Sequence, residues 1–219
     1  MIASIALNDV QRVFVRDFYT LKRPVLVVKG MDHSKTKKEW TKQNFVAKYG
    51  REKIAVSKIP HGKSYGQPVL KTTIQKFVAS WTQPVLKGAQ PYLFDGGQLF
   101  TKSVPLRRDI GDPNLIFNLT NHNIYLFQFY LGPQGSGAQS HFHGDAINGL
   151  VYGRKRWTFV PPPHGTFTVQ DIVDESKTKS SMYMYTVVQR SGDVLYVPEY
   201  WSHATENLGE NIGVAFEFY

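Results

Sequence analysis

Cysteine is absent from the 219 residues. That excludes disulfides, thiolate metal ligands and a cysteine nucleophile, and it suits either redox compartment. No run of about 18 apolar residues occurs, so no membrane-spanning helix is expected. The start, Met1-Ile2-Ala3-Ser4, has neither the charged opening nor the long apolar stretch of a signal peptide. No internal repeat or low-complexity segment stands out. Acidic residues are in deficit, with 17 Asp and Glu against 26 Lys and Arg, a net charge of +9. Basic residues gather at Lys35, Lys37, Lys38, Lys42, Lys48, Arg51 and Lys53. A run of this kind reads first as a solvated helix face. An acidic partner such as nucleic acid or anionic lipid is the sharper reading. No RNA-binding signature or aromatic-interleaved basic motif accompanies the run, so nucleic acid is not the expected partner. One sequon, Asn118-Leu119-Thr120, matters only in a secretory setting.

What is present points to a globular chain. Hydrophobic residues make up 42% and aromatics 14%, and the length suits one domain with a substantial core. The first third mixes helices and strands. Val10, Val13, Phe14 and Phe18 trace a helical stripe over Asp9 to Tyr19, capped by Asn8 or Asp9. Val25 to Val28 reads as a strand closed by Gly30. Thr41 caps a helix that runs toward Tyr49 and stops at Gly50, with Trp40 and Phe45 at staple positions. Lys53 to Lys58 reads as a strand. Thr72 or Thr73 caps a helix carrying Ile74, Phe77, Val78 and Trp81.

From Tyr92 onward the pattern is mostly β. Strands are expected at 92–94, 124–131, 139–143, 147–152, 156–160, 185–189, 193–197, 203–206 and 214–218. So many short strands punctuated by Gly and Pro predict a β-barrel or jelly roll. Residues 162–182 hold few apolar side chains and read as a long surface loop of the kind that covers a binding site.

Against this background two histidine motifs carry chemistry. His141-Phe142-His143 sits in a predicted strand, where alternate side chains share a face. Far downstream, Gly192 and Asp193 turn the chain into an apolar strand ended by Pro198, and Tyr200-Trp201-Ser202-His203 follows. A third imidazole from a second strand would complete one face of a metal ion and leave positions open for substrate and dioxygen. Separated strands converge in this way when a sheet curls into a barrel.

Gly132-Pro133, Gly135-Ser136-Gly137, the HxH, Gly153-Arg154-Lys155-Arg156-Trp157 and Gly192 to His203 fall in one order. In that order the chain resembles the JmjC family of the cupin superfamily, the Fe(II)- and 2-oxoglutarate-dependent oxygenases. The likeness extends weakly upstream through Tyr92-Leu93-Phe94 to Arg23-Pro24-Val25, covering nearly the whole chain. It implies a double-stranded β-helix, mostly β, over residues 91–219, buttressed by an α/β segment over residues 1–90. It implies Fe(II) or another divalent metal, 2-oxoglutarate as cosubstrate, and hydroxylation of a protein or peptide side chain. A member of the family that resides in the endoplasmic-reticulum lumen is especially similar, which suggests that compartment and leaves cytoplasm and nucleus open.

The resemblance also assigns residues. The family's triad is His-x-Asp/Glu with a distant His, and the gapless spacing from Gly132-Pro133 sets it on His141, His143 and His203. The chain thus departs from the pattern by offering His143 where a carboxylate is expected. Asp145 is the alternative carboxylate, since His143-Gly144-Asp145 also reads as His-x-Asp, and a two-residue shift keeps one strand face. With His143 as ligand, Asp145 would instead orient an imidazole. Three neutral ligands suit several metals. Lys155 matches the lysine that pairs with 2-oxoglutarate, although from its own surroundings it reads equally as a surface residue in a basic turn. Asn148 and Tyr92 match polar positions beside the cosubstrate. Ala138 stands where several members carry a threonine. Trp157, Trp201, Tyr196 and Tyr200 read as packing residues. His33, His61, His122 and His164 read as ordinary histidines. Two further functions stay open: a metal-binding scaffold without turnover, and a three-histidine dioxygenase that needs no 2-oxoglutarate.

Overall fold

The computed structural model describes residues 1–60, 62–82, 90–110, 122–165, 167 and 183–219. The N-terminal part runs β1 (Ala3–Ala6), α1 (Leu7–Val13), a π-helical stretch (Phe14–Tyr19), β2 (Val25–Val28), α2 (Lys35–Glu39) and α3 (Lys42–Tyr49). It continues through β3 (Lys53–Val56), β4 (Leu70–Thr73) and α4 (Ile74–Ala79). Then come β5 (Leu93–Asp95), α5 (Gln98–Lys102), α6 (Val104–Ile110), β6 (Ile124–Gly132), β7 (Gly137–His141) and β8 (Asp145–Tyr152). The last elements are β9 (Arg154–Val160), β10 (Tyr185–Arg190), β11 (Val194–Val197), β12 (Ser202–Asn207) and β13 (Asn211–Phe218).

The large sheet has the order β1-β2-β11-β8-β13-β6-β5, and the smaller one β10-β9-β12-β7. Only the β1–β2 pair is parallel among the ladders of these two sheets. The architecture is the expected jelly-roll sandwich, mostly β. Strand β11 shows how alternation builds it. Val194 and Tyr196 join the cluster containing Val10, Phe14 and Phe45, whereas Leu195 and Val197 join Trp157 and Phe159. Helices from the N-terminal segment therefore cover one face of the large sheet, and the other face looks into the sandwich.

Local signals account for the buttress. Thr41 Oγ1 accepts from the Asn44 amide, and the Trp40 and Phe45 rings lie 5.0 Å apart across that helix start. Thr73 caps α4 by accepting from the Lys76 amide. The single helix expected over Asp9 to Tyr19 instead changes to π-helical winding at Phe14. The wider turn sets Phe14 edge-on against Tyr196 at 5.0 Å, so tertiary packing overrides the regular period. Helices α2, α5 and α6, at five to seven residues, carry no apolar stripe of the kind that marks α1 and α4.

Three of the seven residues of the basic run are paired within the chain. Lys35 and Lys48 both pair with the buried Asp109, and Lys42 pairs with Glu210 at 2.6 Å. Asp109 also accepts from Tyr49 and Trp40. Burial alone would raise its pKa, but these donors hold it well below the usual carboxylate range. Among the described residues no helix is long and apolar enough to cross a membrane. Asn118-Leu119-Thr120, His61 and most of the expected loop 162–182 lie outside the described residues.

Candidate metal centre

Strand β7 ends at His141, two residues earlier than the sequence suggests, and β8 begins at Asp145. Between them the chain passes from the small sheet to the large one. His143 therefore sits in a bend rather than on the strand face that alternation predicted. It still meets His141, because the bend turns back toward β12, where His203 pairs with His141. Ring centroids lie 4.3 Å apart for His141–His203, 4.7 Å for His143–His203 and 5.6 Å for His141–His143. One ligand atom from each of the three falls within 4.8 Å of the others.

Each imidazole is oriented by backbone. Nδ1 of His141 lies 2.7 Å from the Gln139 carbonyl, that of His143 2.7 Å from the Gly144 carbonyl, and that of His203 2.9 Å from the Trp201 carbonyl. A carbonyl only accepts, so in the neutral ring Nδ1 carries the proton and Nε2 keeps its lone pair. This is the arrangement of a metal-ligating histidine. Burial, then His141 and His143, hold the His203 pKa well below the ordinary histidine range, so that ring is neutral at pH 7. The donor set fits a divalent metal that accepts imidazole.

Beyond the triad a narrow cavity reaches into the sandwich. Lys155, Asn148 and Tyr92 all line it, together with Tyr130, Ala138 and Thr205. Lys155 is 1% exposed, so it is no surface residue of a basic turn. Its Nζ donates to Tyr92 Oη at 3.0 Å and stands 3.7 Å from the Tyr130 ring centre. No carboxylate pairs with it among the described residues. Burial pulls its pKa down to about 7. Tyr130 donates to Asn148 Oδ1 at 2.5 Å, fixing the amide. Gly213 makes room for this ring, since a Cβ there would stand 2.0 Å from the Tyr130 hydroxyl. Facing Ala138, Thr205 accepts the Ala138 amide at 3.0 Å and puts a hydroxyl oxygen on the cavity wall. A lone ammonium ringed by hydroxyls and an aromatic face fits a small anion such as a carboxylate.

A sequence model described as a cupin-like domain matches residues 10–219. The chain belongs to the cupin-like domain family. Within it, the chain is 27% identical over 209 residues to mouse JmjC domain-containing protein 8, covering 90% of this chain and 75% of that protein. It is 23% identical to the arginine-specific demethylase JMJ20 of Arabidopsis thaliana, over 92% of this chain and 53% of that protein. It is also 23% identical to the 2-oxoglutarate and iron-dependent oxygenase JMJD4 of Gallus gallus, over 92% and 56%. These matches bear out the JmjC resemblance.

In this cupin-like chain Asp145 does not orient an imidazole, which corrects that expectation. Its oxygens take Lys22 Nζ at 2.5 Å, the Tyr196 hydroxyl at 2.6 Å and the Glu199 amide at 3.1 Å. It opens β8 in register with Phe218, and the ligand cluster forms without it. The two-residue shift fails because His143 and Asp145 do not share a strand.

Several residues of the site escaped the sequence reading. A cleft in front of His141 and His143 is lined by Tyr65, Phe142, Phe167, Gln128, Gln139 and Glu217, among others. Tyr65, Phe142 and Phe167 are exposed aromatics, with ring centres 5.7 Å (Tyr65–Phe167) and 6.2 Å (Phe142–Phe167) apart. Glu217 is 7% exposed and accepts from Tyr125 at 2.8 Å and Gln128 at 2.9 Å. No cation pairs with it among the described residues. Partial burial, then the bond to Glu217, push the Tyr125 pKa up to about 12. Gln139 is 8% exposed, and its amide oxygen has no partner among the described residues. Alternation within β7 and β13 could have placed Gln139 and Glu217 inward, but nothing local distinguishes them as site residues.

Proposed function

We propose that this protein is an Fe(II)- and 2-oxoglutarate-dependent oxygenase that hydroxylates a cationic side chain of a protein. One observation carries the reading: three imidazoles with Nε2 lone pairs share a cavity with a buried lysine that has no anionic partner among the described residues. His141, His143 and His203 would hold the metal. Bound Fe(II), with 2-oxoglutarate and dioxygen, supplies the oxidising power for inserting oxygen into a C–H bond, the cosubstrate leaving as succinate and carbon dioxide. Lys155 pairs with the distal carboxylate, and the anion in turn keeps the ammonium charged inside the sandwich. Tyr92 and Tyr130 orient Lys155 and Asn148, and the surrounding apolar walls exclude water.

The cleft gives the substrate class. A buried carboxylate without a cation is costly, and so is an acceptor without a donor. An alkylammonium or guanidinium group would satisfy both Glu217 and Gln139, with its stem against Phe142 and Phe167. Relatives named an arginine-specific demethylase and a bifunctional arginine demethylase and lysyl-hydroxylase agree with this choice.

A second reading rests on His143. Three neutral ligands leave the metal with one more unit of positive charge than a carboxylate triad would, which favours a metal-binding scaffold without turnover. Metal content, with succinate formed from 2-oxoglutarate under Fe(II) and ascorbate, separates the two in wild type and His143→Asp. The oxygenase predicts succinate from wild type. Metal without succinate, with turnover appearing only in His143→Asp, would replace the oxygenase by the scaffold. A third possibility, a three-histidine dioxygenase without cosubstrate, requires oxygen uptake that Lys155→Ala leaves unchanged.

A further inference from the structure

Among the described residues three that are not glycine have positive φ, and two of them, Lys22 (47°) and Tyr200 (62°), make contacts beside the histidine triad. L-residues avoid this region unless their surroundings hold them there, and such outliers cluster at functional sites. Lys22 follows the π-helical stretch of the N-terminal segment. Its ammonium donates to Asp145 Oδ2 at 2.5 Å and lies 3.4 Å from Glu199 Oε1. Its carbonyl accepts the Trp201 indole N–H at 2.8 Å.

These two attachments reach the two histidine-bearing segments. Asp145 is two residues past His143. Trp201 is two residues before His203, and its carbonyl orients that imidazole at 2.9 Å. The Tyr200 amide closes the loop by donating to the His143 carbonyl at 3.2 Å. Asp145 reaches the same segment again through Tyr196 and the Glu199 amide. The bend at Phe142–Gly144 belongs to no strand, so no sheet ladder fixes His143. Its spacing from His203 is set by what grips the residues on either side.

We propose that Lys22 is a positioning residue of the metal centre, a clasp from the N-terminal segment that sets the distance between His143 and His203. It touches neither the metal position nor the cosubstrate cavity, so its effect passes through Asp145 and Trp201. The inference rests on the metal reading of the triad. Its closest precedent in physical terms is the outer partner that orients a metal ligand, whose loss costs about 10–100-fold in metal affinity.

Co(II) titration of the intact chain tests it, read by both dissociation constant and visible ligand-field bands. Lys22→Met removes the ammonium and keeps the backbone carbonyl. It should weaken Co(II) binding about tenfold or more and alter the bands, and because it leaves the buried Asp145 without its cation it should also lower the metal-free melting temperature. Lys22→Arg should restore both affinity and bands. Lys42→Met, which breaks the Lys42–Glu210 pair, should change neither. Wild-type affinity and bands in Lys22→Met would overturn the proposal. If Lys22→Met does not fold, Trp201→Phe removes the indole donor to the Lys22 carbonyl and keeps both an aromatic ring and the backbone carbonyl that orients His203, with the same loosening expected and the same refutation. A wild type that binds no Co(II) would remove the metal reading itself, a result distinct from binding that Lys22→Met leaves untouched.

Discussion

Replacing Lys155 by Met should stabilise the ligand-free protein while abolishing its affinity for 2-oxoglutarate. The lysine is fully buried, and burial takes its pKa from 10.5 to about 7. At about 1.4 kcal/mol per unit, the charged form costs the fold on the order of 5 kcal/mol. Losing the bond to Tyr92 takes back about 1–2 kcal/mol, leaving an expected net gain of about 3–4 kcal/mol. Methionine fills nearly the same space without charge. The pH dependence has a definite sign. Between pH 7 and 10.5 the unfolded lysine holds a proton that the folded one has released, so wild-type stability from this group rises with pH. The deficit is complete below pH 7 and gone above 10.5. Urea unfolding of metal-free protein at pH 6.5 and pH 9 should therefore show a Met variant whose advantage shrinks at the higher pH. Calorimetric titration should show 2-oxoglutarate binding lost in the variant. In wild type, binding above pH 7 should take up a proton and weaken with rising pH. A Met variant no more stable than wild type at pH 6.5 would refute the argument that Lys155 is an unpaired buried charge.

Two other residues test the remaining charges. Asp109→Asn should cost about 2–3 kcal/mol by weakening the bonds from Lys35, Lys48, Tyr49 and Trp40. Because the folded carboxyl titrates below its unfolded value, that loss should be seen at neutral pH and fade as pH falls through the acid range; a pH-independent difference in denaturant unfolding would contradict it. Glu217→Gln should weaken binding of a lysine-bearing peptide about tenfold or more in fluorescence anisotropy, while a norleucine counterpart binds both forms equally. Unchanged lysine-peptide affinity would remove Glu217 from substrate recognition.

Periodicity and capping made much of the scaffold legible. Val25–Val28 is the expected strand, and Thr41 and Thr73 are the expected caps. The sheet-forming strands after Tyr92 differ from expectation mainly at their ends. Strand ends were less legible because they depend on where a chain leaves its neighbour, which alternation does not encode. The clearest case is the HxH motif, where β7 stops at His141 and His143 turns into a bend.

The sequence by itself determined a β-rich jelly roll with helices ahead of it and three candidate ligands, because alternation, caps and motif spacing are local, and local patterns survive in one dimension. The places of Lys155 and Asn148 near those ligands came only from the resemblance to the JmjC family. The tertiary structure decided the rest. Among the described residues it buried Lys155 without a carboxylate, turned Asp145 from the triad toward Lys22, and left Glu217 without a cation at the cleft. Each outcome depends on partners far apart in sequence, 123 residues for Lys22 and Asp145. A charge acquires its meaning from the dielectric and the counter-charges around it, and those exist only once the chain has folded.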